Sequence, residues 1–354
     1  MPAHSPSDLK DQNVLIVEDE YLIAEDLAQA FTRRGANVLG PEPTVERALG
    51  ILRSAQAIDA AVLDVNLNGQ LSFPVADALK RRGVRFVFAT GYQNLIPAYR
   101  YQGVPRLQKP LGPDAVAYAL AVGLKRNALL AALPSDELEK LSSKLTLVAV
   151  SRDQTLQSPK RPITHAYFPI QGLLSVLMKS TPNHSVEVGV VGYGGAAGIQ
   201  FLLGENTASS TLLCKVPGLA YQIEAEALST AFAESAAVRT VFMRYIDIFM
   251  SQIARTAAIN ARCSIEERLA RALLMAQDRL PSDEIHVTQD HLAFLLGVRR
   301  PDITAASRTL EKAEAIRTAR GRITIVDRAK LQELSGGAYG PTEAALAEFT
   351  SVHA

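Results

Sequence analysis

Asp64 closes the apolar run Ala60-Ala61-Val62-Leu63, and its position raises a question of chemistry. A short continuous apolar run reads as a strand buried on both faces, and a carboxylate at its carboxyl end stands where open α/β sheets place their ligand sites. Three other segments end in the same way. Val14 to Val17 runs into Glu18, Asp19 and Glu20; "RFVFATGY" closes on Thr90; "VPRLQKP" closes on Lys109-Pro110. Clustered carboxylates repel one another unless a cation neutralises them, and oxygen ligands suit a hard ion such as Mg²⁺. A metal-bound aspartate can act as a nucleophile towards a phosphoryl group, while a lysine and a hydroxyl hold the phosphoryl oxygens.

Helical patterns separate these runs, among them "YLIAEDLAQAFTRRG" (21–35) and "VADALKRRG" (75–83). Strands alternating with helices over about a hundred residues predict a parallel sheet covered by helices, with all the strand ends on one edge.

These residues resemble the response-regulator receiver domain, over residues 12–124 of the sequence. The resemblance implies a flavodoxin-like α/β fold and makes Asp64 the phosphoacceptor. It assigns Mg²⁺ to Glu18, Asp19, Asp64 and the backbone carbonyl of Asn66. Thr90 becomes the switch hydroxyl, Lys109 the phosphate-binding lysine, and Pro110 the residue after a cis peptide. "FVFATGY" and "FPVADALKRRG" look like the FAT GUY subgroup of receivers. Two departures stand out. No proline follows the acceptor in "DVNLNG", and Arg106 stands where many receivers carry an aromatic switch residue, with Tyr92 as its candidate substitute.

The chain of 354 residues has room for two or three domains, with 48% hydrophobic and 21% charged residues. No apolar stretch reaches membrane-spanning length, and "MPAHSPSDLK" lacks an apolar signal core, so a cytoplasmic protein with no membrane partner is expected. Cys214 and Cys263 fit no metal spacing. Residues 1–11 read as a flexible N-terminus. The near-neutral net charge of +1 conceals an asymmetry, for Arg299 to Lys330 carries nine basic and four acidic residues. That net +5 leaves −4 for the remainder and marks a candidate phosphate-binding surface.

Beyond the receiver-like segment, Pro134 interrupts a helical pattern and Ser135 restarts it, with no flexible Gly/Ser linker. From about 145 to 225 short strands and turns alternate, predicting a β-roll of jelly-roll type within 125–231. Residues 232–264 read as one long helix with apolar positions Val238, Phe242, Tyr245, Phe249 and Ile253, thickened by Val241, Met243, Ile246 and Met250. A stripe this broad needs two packing partners, the roll and the same helix of a second subunit, so a homodimer is expected.

Residues 265–335 read as a winged helix-turn-helix of α+β class, followed by a tail over 336–354. Thr288 caps the first helix of the hairpin, Gly297 makes the turn, and "RTARGRITIVD" folds as a wing. On that geometry Arg299, Arg300, Asp302 and Thr304 enter the major groove, while Arg308, Arg317, Arg320 and Arg322 suit phosphates.

Residues 125–335 look like the Crp/Fnr regulators, carried by "ITHAYFPIQGLLSVL", "SIEERLARALLMAQDRL" and "VTQDHLAFLLGVRRPDITAASRTLEKA". The resemblance implies a cyclic-nucleotide-binding-like roll, a dimerisation helix and a DNA-binding winged helix. The ligand motif departs from the family. Ala196 occupies the glutamate position, and no arginine occurs from 162 to 238, so no cyclic nucleotide is expected.

The combined expectation is a non-enzymatic regulator of transcription, phosphorylated on Asp64 by a sensor histidine kinase or phosphotransfer protein. It would bind double-stranded DNA at an inverted repeat, with RNA polymerase a candidate further partner. Two alternatives stand beside it: a small-ligand-sensing Crp/Fnr-type regulator, and a receiver-based protein-interaction switch.

Overall fold

The computed structural model describes the chain apart from residues 1–8, 55–56, 92–95, 97–99, 102–103, 110–111, 114–115, 118–119, 121–123, 182–183, 281–282 and 352–354. The chain divides into two compact units. One contains Met1–Arg126, Ser135–Ala149 and Tyr221–Ile223; the other contains Asn127–Pro134, Val150–Ala220 and Glu224–Ala354.

In the first unit the apolar runs become strands β1 (Asn13–Val17), β2 (Asn37–Glu42) and β3 (Ala60–Asp64). A two-residue hairpin, β4 (Asn66–Leu67) and β5 (Gln70–Leu71), follows, then β6 (Arg85–Thr90), β7 (Arg106–Gln108) and β8 (Thr146–Val150). Within this unit the larger sheet runs in the order β2-β1-β3-β6-β7-β8, and these neighbouring strands pair in parallel. β3 is buried along its whole length, as a continuous apolar run requires.

Three helices present apolar stripes at helical spacing. Helix α1 (Tyr21–Arg33) buries Ala24, Leu27, Ala30 and Phe31; α2 (Val45–Arg53) buries Val45, Ala48 and Leu52; α3 (Phe73–Arg81) buries Val75, Ala76 and Leu79.

The boundary expected at residue 124 is displaced. Ser135–Ala149 groups with the first unit, because β8 pairs beside β7 through Arg106↔Thr146 and Leu107↔Leu147. An alternating apolar strand carries no label of its partner, so the pattern located β8 without locating its sheet.

In the second unit four antiparallel strands lie in the order His184–Val191, Leu173–Thr181, Thr211–Val216, Thr155–Gln157. The expected single helix over 232–264 is two helices, Ala225–Glu234 and Ala236–Arg262. Ser235 separates them, its side chain capping the amide of Val238 at 3.3 Å. The longer helix buries Val238, Phe242, Tyr245 and Ile246 and leaves Met243 and Met250 exposed.

Leu269, Leu273, Leu292, Ile303, Leu310, Ile323 and Leu331 are buried in one further core, which also takes in Leu173 and Val190 of the roll strands. The expected tail contains a helix, Pro341–Ser351, in which Glu343 and Phe349 are buried. No described helix is long and apolar enough to cross a membrane.

Candidate functional site

At the carboxyl edge of the parallel sheet, Glu18 follows β1, Asp64 ends β3 and Lys109 follows β7. Chain order reverses beside β1, the position at which open α/β sheets place their ligand sites. Glu18 and Asp64 are buried, and the Lys109 ammonium reaches both. It donates to Asp64 Oδ2 at 2.6 Å and to Glu18 Oε2 at 2.8 Å and Oε1 at 3.0 Å.

Carboxylate oxygens of Glu18, Asp19 and Asp64 lie within 4.8 Å of one another. One lysine balances one of three acids, so the donor set fits a divalent cation with oxygen preference. Burial pushes the Glu18 carboxyl up to about 7, although Lys109 pulls it down. Burial also works against the Lys109 ammonium, but its bonds to Asp64 and Glu18 outweigh that and hold it above the usual lysine value.

The hairpin after β3 supplies backbone amides to two of these acids. Asn68 and Gly69 both have positive φ, 51° and 91°, which a two-residue turn between β4 and β5 demands. The Asn68 amide donates to Asp19 Oδ2 at 3.0 Å, and the Asn66 amide donates to Asp64 Oδ1 at 3.1 Å. The turn therefore orients two of the three acids and brings Asn66 alongside them. Arg106 is buried, and its Nε and Nη2 have no hydrogen-bond partner among the described residues. The side chain of Thr90, together with Tyr92 and Pro110, lies outside the described residues.

The second candidate site is the helical hairpin of the other unit. Thr288 caps Gln289–Leu296 by accepting from the His291 amide at 3.1 Å, and Gly297 turns the chain with φ +64°. A side chain at 297 would also meet Val186 Cγ1 at 2.5 Å, so this turn requires glycine twice over. The second helix, Arg300–Lys312, buries Ile303, Ala306, Ser307 and Leu310. Its opposite face exposes Arg300, Ala305, Arg308, Thr309 and Lys312.

The wing strands Ile316–Ala319 and Arg322–Ile325 pair antiparallel, with exposed Arg317, Arg320 and Arg322. Residues 267–334 match the Crp-like helix-turn-helix domain.

Similar solved structures include a regulator of the Crp/Fnr family from Eubacterium rectale, at 18% identity and a TM-score of 0.49, spanning 60% of this chain and 100% of that one. A Crp-family regulator from Thermus thermophilus is similar at 19% identity, with a TM-score of 0.46 over 55% of this chain and 98% of that one. FixK2 from Bradyrhizobium japonicum is similar at 13% identity, with a TM-score of 0.48 over 54% and 96%. No curated protein matches the chain.

Within the Crp-like helix-turn-helix domain the eight sequence-predicted residues take different positions. Arg299, Arg300, Arg308, Arg317, Arg320 and Arg322 are exposed. Asp302 and Thr304 are engaged internally. Asp302 Oδ2 accepts from the Arg299 amide at 3.1 Å, and Thr304 Oγ1 donates to Gln289 Oε1 at 2.7 Å. Thr309 and Lys312 share the exposed face and were not singled out from the sequence; their spacing from Arg308 and Ala305 was the available signal.

His291 belongs to the first helix of the hairpin, Gln289–Leu296, and is half-buried, with its Nε2 unpartnered among the described residues. Burial lowers its pKa, and Lys215 lowers it further; Asp153 and Glu187 oppose this, and Arg152 adds to it. The folded value thus lies below the ordinary 6.5. A depressed folded pKa contributes stability that is full above the unfolded value and is lost as pH falls through the folded one. Melting of the intact chain between pH 8 and roughly pH 5 should show this loss. His291→Gln should flatten that dependence, and an unchanged pH profile would refute the assignment.

Proposed function

We propose that this chain is a DNA-binding regulator of transcription with the Crp-like helix-turn-helix as its output and phosphorylation of Asp64 as its input. The observation that carries the input is the Lys109 ammonium 2.6 Å from Asp64 and 2.8 Å from Glu18 at the carboxyl edge of a parallel sheet. An Asp64 oxygen attacks the phosphorus of a phosphohistidine or acyl phosphate, and the donor's bond to phosphorus breaks, giving an aspartyl phosphate.

Glu18, Asp19, Asp64 and the Asn66 carbonyl would hold Mg²⁺, whose charge offsets that of the incoming phosphoryl group. Lys109 is placed to stay with the phosphoryl oxygens. The strand order around β1 and β3 supports the flavodoxin-like receiver reading. A sensor kinase or phosphotransfer protein supplies the phosphoryl group.

The exposed Met243 and Met250 on the long helix support pairing with a second copy, and two Crp-like domains would then face an inverted repeat. Operator binding by the full chain, with and without beryllofluoride and Mg²⁺, tests the coupling. Affinity that does not respond to beryllofluoride would refute control through Asp64.

A second reading has its own observation. A cavity of about 310 Å³ lies between the roll and the long helix, lined by Val176, Met178, Ala197, Ile246, Phe249 and Ile253 among others, with no charged side chain in its lining. Such a lining supports an uncharged apolar effector over a cyclic phosphate, whose charge would be left uncompensated. Calorimetry should therefore detect no cyclic AMP or cyclic GMP binding at micromolar concentration. Binding of about −8 kcal/mol or better would overturn this expectation.

A further inference from the structure

Arg279 follows the first long helix of the Crp-like domain and is only 4% exposed. The hydrogen bond described for its guanidinium is from Nη1 to the Met275 carbonyl at 2.8 Å, and no carboxylate pairs with it among the described residues. Burying a guanidinium without a counter-charge costs several kcal/mol as a rule of thumb, so the group that satisfies it is worth seeking.

The neighbouring carboxylates are already taken by other arginines. Arg328 donates to Asp278 Oδ1 at 2.6 Å and to Tyr339 Oη at 2.7 Å. Arg271 donates to Glu343 Oε1 at 2.9 Å and 3.2 Å, and to Thr256 Oγ1 at 3.1 Å. Arg255 is bonded to the carbonyls of Gly337 and Ala338. Two carboxylates thus face four arginines, and the acceptor described for Arg279 is a backbone carbonyl, not a carboxylate.

That residue lines a cavity of about 260 Å³, separate from the apolar one. Its walls come from three places: Tyr193 and Gly194 of the roll, Asp278, Arg328 and Tyr339 of the winged-helix region, and Glu343, Leu346, Ala347 and Thr350 of the final helix. Both carboxylates of the lining are held by arginines, Asp278 by Arg328 and Glu343 by Arg271. The Arg279 stem lies against Gly192, where an added Cβ would approach Arg279 Cβ to 2.7 Å, so the backbone there closes on the side chain. Glu343 and Phe349 are buried and anchor the final helix, which makes its wall a fixed one.

We propose that this cavity binds a small organic monoanion, its carboxylate on Arg279 and its apolar body between Tyr339 and Leu346. A planar guanidinium matches a carboxylate in two-pronged fashion, and tyrosine and leucine cover a ring or short chain. Binding would tie the final helix to both the roll and the winged helix. Neither the phosphoacceptor reading nor the apolar cavity is needed for this site.

Benzoate is the probe, titrated by calorimetry into the full chain against chloride at matched ionic strength, with inorganic phosphate as a second arm. Saturable benzoate binding is expected, weakened at least tenfold in Arg279→Met and in Ala347→Phe. The second variant fills the mouth of the cavity without touching the arginine, and melting curves check that both variants fold. Absence of benzoate binding, binding of phosphate alone, or binding unchanged in either folded variant would overturn the proposal.

Discussion

Replacing Asp64 by asparagine is expected to abolish covalent labelling of the chain by acetyl phosphate and Mg²⁺, read as loss of the phosphoryl mass increment in the intact protein. The substitution keeps the shape of the side chain and the hydrogen bond from the Asn66 amide to Oδ1, while removing the nucleophilic oxygen now 2.6 Å from Lys109. The effect should be all-or-none, because the two other carboxylates of the cluster have different surroundings. Glu18 is buried beneath the same lysine, and Asp19 accepts from the Asn68 amide. A full adduct on the Asp64→Asn protein would place the acceptor elsewhere and remove the proposed input.

The second expectation concerns DNA. Arg300 opens the second helix of the hairpin and is exposed, with a loose pair to exposed Asp290 at 3.4 Å. Such a rim pair contributes little and gives way readily to a guanine edge. Arg300→Ala should then cost roughly 1–3 kcal/mol at a specific site and relax the preference at one base pair in each half-site. Arg320→Ala and Arg322→Ala on the wing should weaken all sequences about equally and flatten the salt dependence. Selection from a random DNA pool, followed by titrations at several salt concentrations, decides between them. Enriched sites without two-fold symmetry would refute the paired arrangement, and full selectivity in Arg300→Ala would refute the recognition role.

Much of this was legible because local pattern and burial agree. The run from Ala60 to Asp64 is wholly buried and ends on its acid, so a strand and a strand-end carboxylate could be read together. The hairpin turn at Gly297 was equally visible, since glycine is the residue that left-handed backbone selects. Partnership between distant segments was not legible. Thr146–Val150 looks like a strand of the roll, yet it pairs with Arg106 and Leu107, forty residues earlier in the chain.

Pro341–Ser351 reads as a tail because its apolar stripe is weak, and what holds it is Arg271, which lies 72 residues before Glu343. Asp302 shows a subtler failure. Its type suits base contact, but a carboxylate three residues into a helix is also the natural acceptor for the first free amides, and here it serves the Arg299 amide.

The threading of the first unit has a consequence for how the chain comes off the ribosome. Domains generally fold as units, the N-terminal one first, while synthesis continues. This unit cannot finish that way, since it draws on Ser135–Ala149 and again on Tyr221–Ile223. Until β8 emerges, β7 is an edge with unpaired amides and carbonyls, the kind of template on which nascent chains stick to one another. A fragment cut after residue 124 would preserve that exposed state permanently. Genetic dissection of the two halves should therefore cut within neither stretch, and fusion partners belong at the ends of the whole chain.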